Sequence, residues 1–141
     1  EYMDVGSTND WNLDHVVPAN EMRAILSKEF GSLRVHQSSH PSDVAKLYTT
    51  SNNWQIGFIE SITNPFCGDC SRARLSANGR IYTCLFANNG HDLRSILRMD
   101  ASSEDVFQAI QSIWQNRNDR YSEERSHQTR GVKVEMSYIG G

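Results

Sequence analysis

Cysteine is scarce in this chain: three residues in 141, Cys67, Cys70 and Cys84. An odd number cannot pair off into disulfides, so a disulfide framework does not organise the fold. No apolar run is long enough to span a bilayer, which removes a membrane-spanning role. No stretch reads as a signal peptide, no tract is of low complexity, and no internal repeat is present. An excess of positive charge is also missing. The net charge of -3 gives no reason to expect a nucleic-acid partner. What remains is ordinary for a globular protein, with 38% hydrophobic and 22% charged residues, in a chain long enough for one domain with a core. Thiols kept as metal ligands suit a reducing compartment, so a cytoplasmic location is expected. The opening Glu1-Tyr2-Met3-Asp4-Val5-Gly6 reads like the end of a buried strand, and so like part of a longer protein.

The chain reads as α+β. Residues 7–18 are polar and turn-rich. A helix is predicted from Asn20 to Phe30, with Met22, Ile25, Leu26 and Phe30 on one face, Asn20 as cap and Gly31 as stop. Leu33 to Gln37 suits a short strand, and residues 38–43 a loop. Leu47-Tyr48 and Trp54 to Ile59 suit two strands around a Ser51-Asn52-Asn53 turn. Residues 72–77 and 80–86 form a predicted hairpin on Asn78-Gly79, a type I′ signal in which both central residues need positive φ. The hairpin carries Cys84 back toward Cys67 and Cys70. Its regular register pairs Ala73 with Cys84 and turns Arg72 and Arg74 to the opposite face. Either a bulge shifts that register, or the cysteines hang on the hairpin's end with the arginines flanking them.

A second helix is predicted from Ser102 to about Asn116, with Val106, Phe107, Ile110, Ile113 and Trp114 as its buried stripe. The charged run from Arg117 to Arg125 reads as a solvated helix end. Val132 to Ile139 alternates like an edge strand, and Gly140-Gly141 close the chain.

Cys67-Gly68-Asp69-Cys70 sets two sulfurs where a metal can bridge them, and thiolates suit zinc, copper(I) or iron–sulfur clusters. Structural zinc takes four protein ligands, so a zinc site needs a histidine, and His91 is the nearest. That combination is a small zinc-stabilised binding module with three cysteines and one histidine. A [4Fe-4S] cluster held by three cysteines instead leaves one iron open, a Lewis acid that can hold a ligand. Three ordinary buried cysteines, or a redox dithiol, are weaker readings; a thioredoxin-like strand–helix context is missing.

Between Cys67 and Arg98 stand Arg72, Arg74, Arg80, Arg94 and Arg98, opposed by Asp69 and Asp92, with no lysine or glutamate. Arginine forks suit phosphate and stay charged when desolvated. Arg72 and Arg74 are read as anion contacts, Arg80 and Arg98 as structural. His91-Asp92 can cap a short segment running to Arg98.

The string Pro65-Phe66-Cys67-Gly68-Asp69-Cys70-Ser71-Arg72-Ala73-Arg74-Leu75-Ser76 closely resembles the C-terminal half of the GTP 3′,8-cyclases. Gly79, Tyr82-Thr83-Cys84-Leu85-Phe86, Gly90-His91-Asp92-Leu93-Arg94 and Asp119-Arg120-Tyr121-Ser122 extend the likeness over nearly the whole chain. These are radical S-adenosylmethionine lyases that open molybdenum cofactor (molybdopterin) biosynthesis (molybdenum cofactor biosynthesis protein A). The resemblance implies the C-terminal part of an incomplete (β/α) barrel, with residues 1–18 as a barrel-strand end and loop, plus a cluster-binding hairpin and helices. It implies a second [4Fe-4S] cluster on Cys67, Cys70 and Cys84, whose open iron binds the guanine of GTP. Arg72 and Arg74 face the substrate, and Gly140-Gly141 reach the active site. GTP becomes 3′,8-cyclo-7,8-dihydro-GTP. The partners implied are GTP and the N-terminal radical S-adenosylmethionine domain. That domain's Cys-x-x-x-Cys-x-x-Cys motif is absent here, so this chain alone is not expected to cleave S-adenosylmethionine, and no catalytic residue is assigned to it. Apolar surface left by the missing barrel leads to an expectation of self-association, as a homodimer, or of disorder near residues 1–18 and at the tail.

Overall fold

The computed structural model describes residues 1–5, 10–38, 40, 43–125 and 134–139. The chain is mixed α+β, with two three-stranded antiparallel sheets and several helices. It divides into two compact units, one of residues 1–4 and 11–70, the other of residues 5–10 and 71–141. No helix among the described residues is long and apolar enough to cross a membrane.

In the first unit, a 3₁₀ turn Leu13–His15 leads into helix α1, Ala19–Phe30. Strands β1 (Arg34–His36), β2 (Lys46–Thr49) and β3 (Gln55–Phe58) follow in sheet order β1-β2-β3. The β2–β3 turn forms as its Ser-Asn-Asn sequence predicts. The Trp54 amide donates to Thr50 Oγ1 at 3.0 Å, and Asn53 takes the left-handed conformation at φ 60°. Asn20 does not cap α1. The helix starts one residue earlier, behind Pro18, and the Ala19 amide donates 2.9 Å to the carboxylate of Glu1. That carboxylate also accepts from the amides of Ile62 (2.8 Å) and Thr63 (3.0 Å). Residues 1–5 are described without helix or strand. Their anchor is a side chain, which no strand periodicity reveals.

Glu60 is the charged centre of this unit, 4% exposed. It accepts from Lys46 Nζ at 3.1 Å and Asn64 Nδ2 at 3.1 Å, and it pairs with Arg23 of α1. The Arg23 guanidinium also lies 5.4 Å from the Tyr48 ring centre and 5.7 Å from that of Phe58, two rings in edge-to-face contact. One buried carboxylate thus ties α1 to the sheet.

In the second unit, β4 (Arg74–Leu75), β5 (Arg80–Tyr82) and β6 (His91–Asp92) form a sheet with β5 central. Ile81 and Tyr82 of β5 are both buried, so both faces of that strand are covered, and Thr83 just past its end is buried too. Helices α2 (Arg94–Leu97), α3 (Ser103–Gln115) and α4 (Tyr121–Glu124) follow. Ser102 caps α3 in a reciprocal capping box with Asp105. The α3 stripe is not buried as expected: Phe107 is 56% exposed and Trp114 36%. Amphipathicity marks an apolar face but not what covers it, and the element packed most closely on α3 is the four-residue α2. Met136–Ile139 is a 3₁₀ turn, not the predicted strand. The Met136 amide donates to the Val5 carbonyl at 3.0 Å, and Ile139 is 1% exposed. Val132 and Lys133 of that reading, with Gly140, Gly141 and residues 6–9, lie outside the described residues.

Burial pushes the Glu60 carboxyl up, but the hydrogen bonds from Asn64 and Lys46 and the charges of Arg23 and Lys46 outweigh it. Its pKa falls below the ordinary 4.5. Its stabilisation is therefore complete above that ordinary value and lost as pH falls through the depressed folded-state value. Glu60→Gln is expected to cost about 2 kcal/mol at pH 7 and to flatten the acid limb of stability against pH. Chemical denaturation of both proteins from pH 7 to pH 3 checks this; parallel acid limbs would be the contrary result.

Candidate metal and substrate site

The cysteine pair sits after the loop that Glu1 and Glu60 anchor. Cys67 and Cys70 form a turn, with the Cys70 amide donating to the Cys67 carbonyl at 3.4 Å. Both thiols are reduced and half-buried, as is Cys84. Cys67 and Cys70 belong to the first unit and Cys84 to the second.

In the second unit the hairpin differs from the type I′ prediction, and the difference sets which residue Arg74 faces across the ladder. Only Gly79 takes positive φ, 77°; Asn78 does not. The loop is Ala77-Asn78-Gly79, three residues long. The Gly79 amide donates 2.9 Å to the Ser76 carbonyl, and the Ser76 amide donates 2.9 Å to the Arg80 carbonyl. This is a turn closed by a left-handed glycine, and it moves the register by one residue. Arg74 now stands opposite Tyr82, and Leu75 opposite Ile81. Arg74 thus shares a face of the ladder with Tyr82. The register of the β4–β5 ladder is shifted, and Cys84 lies beyond the ladder's end. Arg74 is half-buried and Arg72 exposed.

The turn carries more than the hairpin. The Gly79 carbonyl accepts from the amides of Leu93 (3.1 Å) and Arg94 (3.0 Å), which docks the start of α2. Asn78 Nδ2 donates 3.0 Å to the Tyr138 hydroxyl. Arg80 is structural, as expected: its guanidinium donates to the Gly90 carbonyl at 2.6 and 3.0 Å. Asp92, just ahead of α2, accepts from the Ser95 hydroxyl at 2.7 Å and amide at 3.1 Å, and these bonds hold its carboxyl below the usual aspartate range. His91 is exposed on β6, opposite Ile81.

Cys84 lies in a bend past the end of β5. The Phe86 amide donates to its sulfur at 3.4 Å, and the Ala87 amide to its carbonyl at 3.2 Å. The Phe86 ring stacks on Tyr121 with centres 4.7 Å apart, and Arg125 lies over both rings at 5.7 and 5.4 Å. The buried Thr83 hydroxyl donates to Asp119, whose carboxylate is 3.9 Å from Arg117 Nε. The run 117–125 is therefore not the solvated helix end its charge density suggested. Its signal was the lone aromatic Tyr121 amid charges, a residue type that seldom sits there without packing.

Cys67, Cys70 and Cys84 are each a half-buried reduced thiol, and thiolates are soft donors of the type an iron–sulfur cluster takes. Among the described residues, no group of three or more histidine, cysteine or acidic side chains is gathered to hold a metal ion. What the fold and residues define is an α+β domain with a soft thiol set and a cationic hairpin. More narrowly, the chain belongs to the Molybdenum Cofactor Synthesis C family, which it matches over residues 1–123. It is similar to proteins named GTP 3′,8-cyclase. Identity is 45% with that of Synechococcus sp. (strain CC9902), 42% with that of Aquifex aeolicus (strain VF5) and 41% with that of Acidothermus cellulolyticus. Each likeness covers 100% of this chain and 41%, 41% and 46% of the respective relative. The chain thus spans less than half the length of the relatives it matches.

A Cβ on Gly79 meets Arg94 Cβ at 2.6 Å, at a backbone φ of 77°, whereas one on Gly68 meets nothing within 4 Å. Gly79→Ala is expected to destabilise the second unit by about 1–3 kcal/mol, and Gly68→Ala to leave stability nearly unchanged. Denaturant titration of the two variants side by side measures the contrast.

Proposed function

We propose that this chain is the cluster- and substrate-holding portion of a GTP 3′,8-cyclase acting in molybdenum cofactor synthesis. Cys67, Cys70 and Cys84 hold a [4Fe-4S] cluster, and Arg72 and Arg74 hold the phosphate end of GTP. Gly140 and Gly141 are assigned to the substrate side on the resemblance alone. The observation that carries the reading is the whole-chain likeness to GTP 3′,8-cyclases; the resemblance assigns that family's second cluster to Cys67, Cys70 and Cys84. When bound, such a cluster supplies a Lewis-acidic iron with an open position, which the resemblance assigns to the guanine of GTP.

The chain's own residues divide the remaining work. The guanidinium forks of Arg72 and Arg74 bind phosphate oxygens in pairs and stay charged where water is excluded. The shifted register sets Arg74 opposite Tyr82, two residues before Cys84, which supports an arginine at the cysteine-bearing end of the hairpin. The Phe86 amide neutralises part of the charge on the Cys84 sulfur. No cysteine remains for a second cluster. Cleavage of S-adenosylmethionine therefore rests with residues outside these 141, in a partner radical domain.

In the complete enzyme, Arg72→Ala and Arg74→Ala are each expected to lower kcat/KM for GTP roughly 10- to 100-fold, the worth of a charged hydrogen bond, with iron content intact. Steady-state turnover with iron analysis of the same samples checks this. Unchanged turnover in both variants would remove the arginines from the substrate site.

A further inference from the structure

We propose that Thr83, Phe86, Asp119, Tyr121 and Arg125 form a clamp that orders Cys84 for metal binding by holding the Phe86 amide on its sulfur. The proposal rests on reading Cys84 as a cluster ligand. Cys84 lies beyond the β5 ladder, so strand pairing does not place its sulfur. Both of its flanks are docked instead. On one side, Thr83 is 4% exposed and its hydroxyl is bound by Asp119. Asp119 adjoins Arg117, which lies 5.1 Å from the Trp114 ring centre at the end of α3. On the other side, Phe86 is stacked on Tyr121 at 24° between ring planes, with Arg125 over both. One continuous run, residues 114–125, therefore grips the chain just before and just after Cys84.

The grip has a chemical consequence. With Phe86 fixed, its N–H points at the Cys84 sulfur at 3.4 Å. A hydrogen bond to a ligand sulfur stabilises the more negative, reduced state of a cluster and raises its potential. Outer residues that orient a ligand in this way govern metal retention as well. Tyr121, Arg125, Asp119 and Thr83 are thus positioning residues, acting on Cys84 through its neighbours.

The first test needs no metal. Hydrogen exchange of the Phe86 amide is measured in this chain, with the Ile81 amide as a report on the sheet. Protection at Phe86 is expected in the native chain and in Tyr121→Phe, and it is expected to be lost in Tyr121→Ala while Ile81 stays protected. Should Tyr121→Ala unfold the unit, Thr83→Val, which removes the Asp119 anchor at nearly constant volume, carries the same expectation. Unchanged Phe86 protection in the folded variant overturns the clamp. The second test is the potential of the cluster bound by Cys67, Cys70 and Cys84 in the reconstituted full-length enzyme. It should move to more negative values in Tyr121→Ala, return in Tyr121→Phe, and iron loss to a chelator should quicken about 10-fold or more. An unmoved potential overturns the proposal. Failure of the native enzyme to bind this cluster, with the exchange result as expected, overturns the cluster reading and leaves the clamp as the anchor of the Cys84 bend.

Discussion

The second unit depends on one backbone constraint, the left-handed Gly79. A residue with a side chain could take neither its φ of 77° cheaply nor its place against Arg94. Because glycine does both, the loop closes in three residues, β4 and β5 pair with Arg74 opposite Tyr82, and the Gly79 carbonyl is left to accept the first amides of α2. Hairpin register, helix docking and the pairing of Arg74 with Tyr82 follow from that one conformation. A two-residue turn on the same Asn-Gly would have set Arg74 opposite Thr83 instead.

The first unit is organised by side-chain charge more than by apolar volume. Glu1 joins the start of α1 to the amides of residues 62 and 63, and Glu60 joins α1 to the sheet through Arg23 and Lys46. Both carboxylates serve the segment that leads into Cys67. In the second unit, Asp119 and Arg125 do comparable work around Cys84. Among the described residues, buried apolar side chains are few, and Phe107 and Trp114 of α3 are exposed. Charged and aromatic contacts close to the cysteines therefore hold the cysteine-bearing segments in place.

Helices with a strong period and a cap were legible in the sequence: α3 begins after Ser102 with its capping box, and the Ser51-Asn52-Asn53 turn joins two strands as written. The cysteines and arginines were legible because their residue types are rare and chemically specific. What escaped was long-range. The cap on α1 comes from Glu1, eighteen positions away, and no local pattern encodes it. The hairpin register hinged on whether Asn78 would share the left-handed conformation of Gly79, a choice set by Ser76, Tyr138 and α2 packing around the turn. The packing of residues 117–125 escaped because charge density hides a stacked tyrosine. Amphipathicity could mark the α3 stripe but could not say what covers it.

The central claim is that three thiols of this chain hold an iron–sulfur cluster with one iron left open. Anaerobic reconstitution with iron and sulfide, followed by iron, sulfide and zinc analysis of the desalted chain, tests it most directly. The account predicts about four irons per chain with matching sulfide, falling sharply in Cys84→Ser. One zinc and no iron per chain would contradict it.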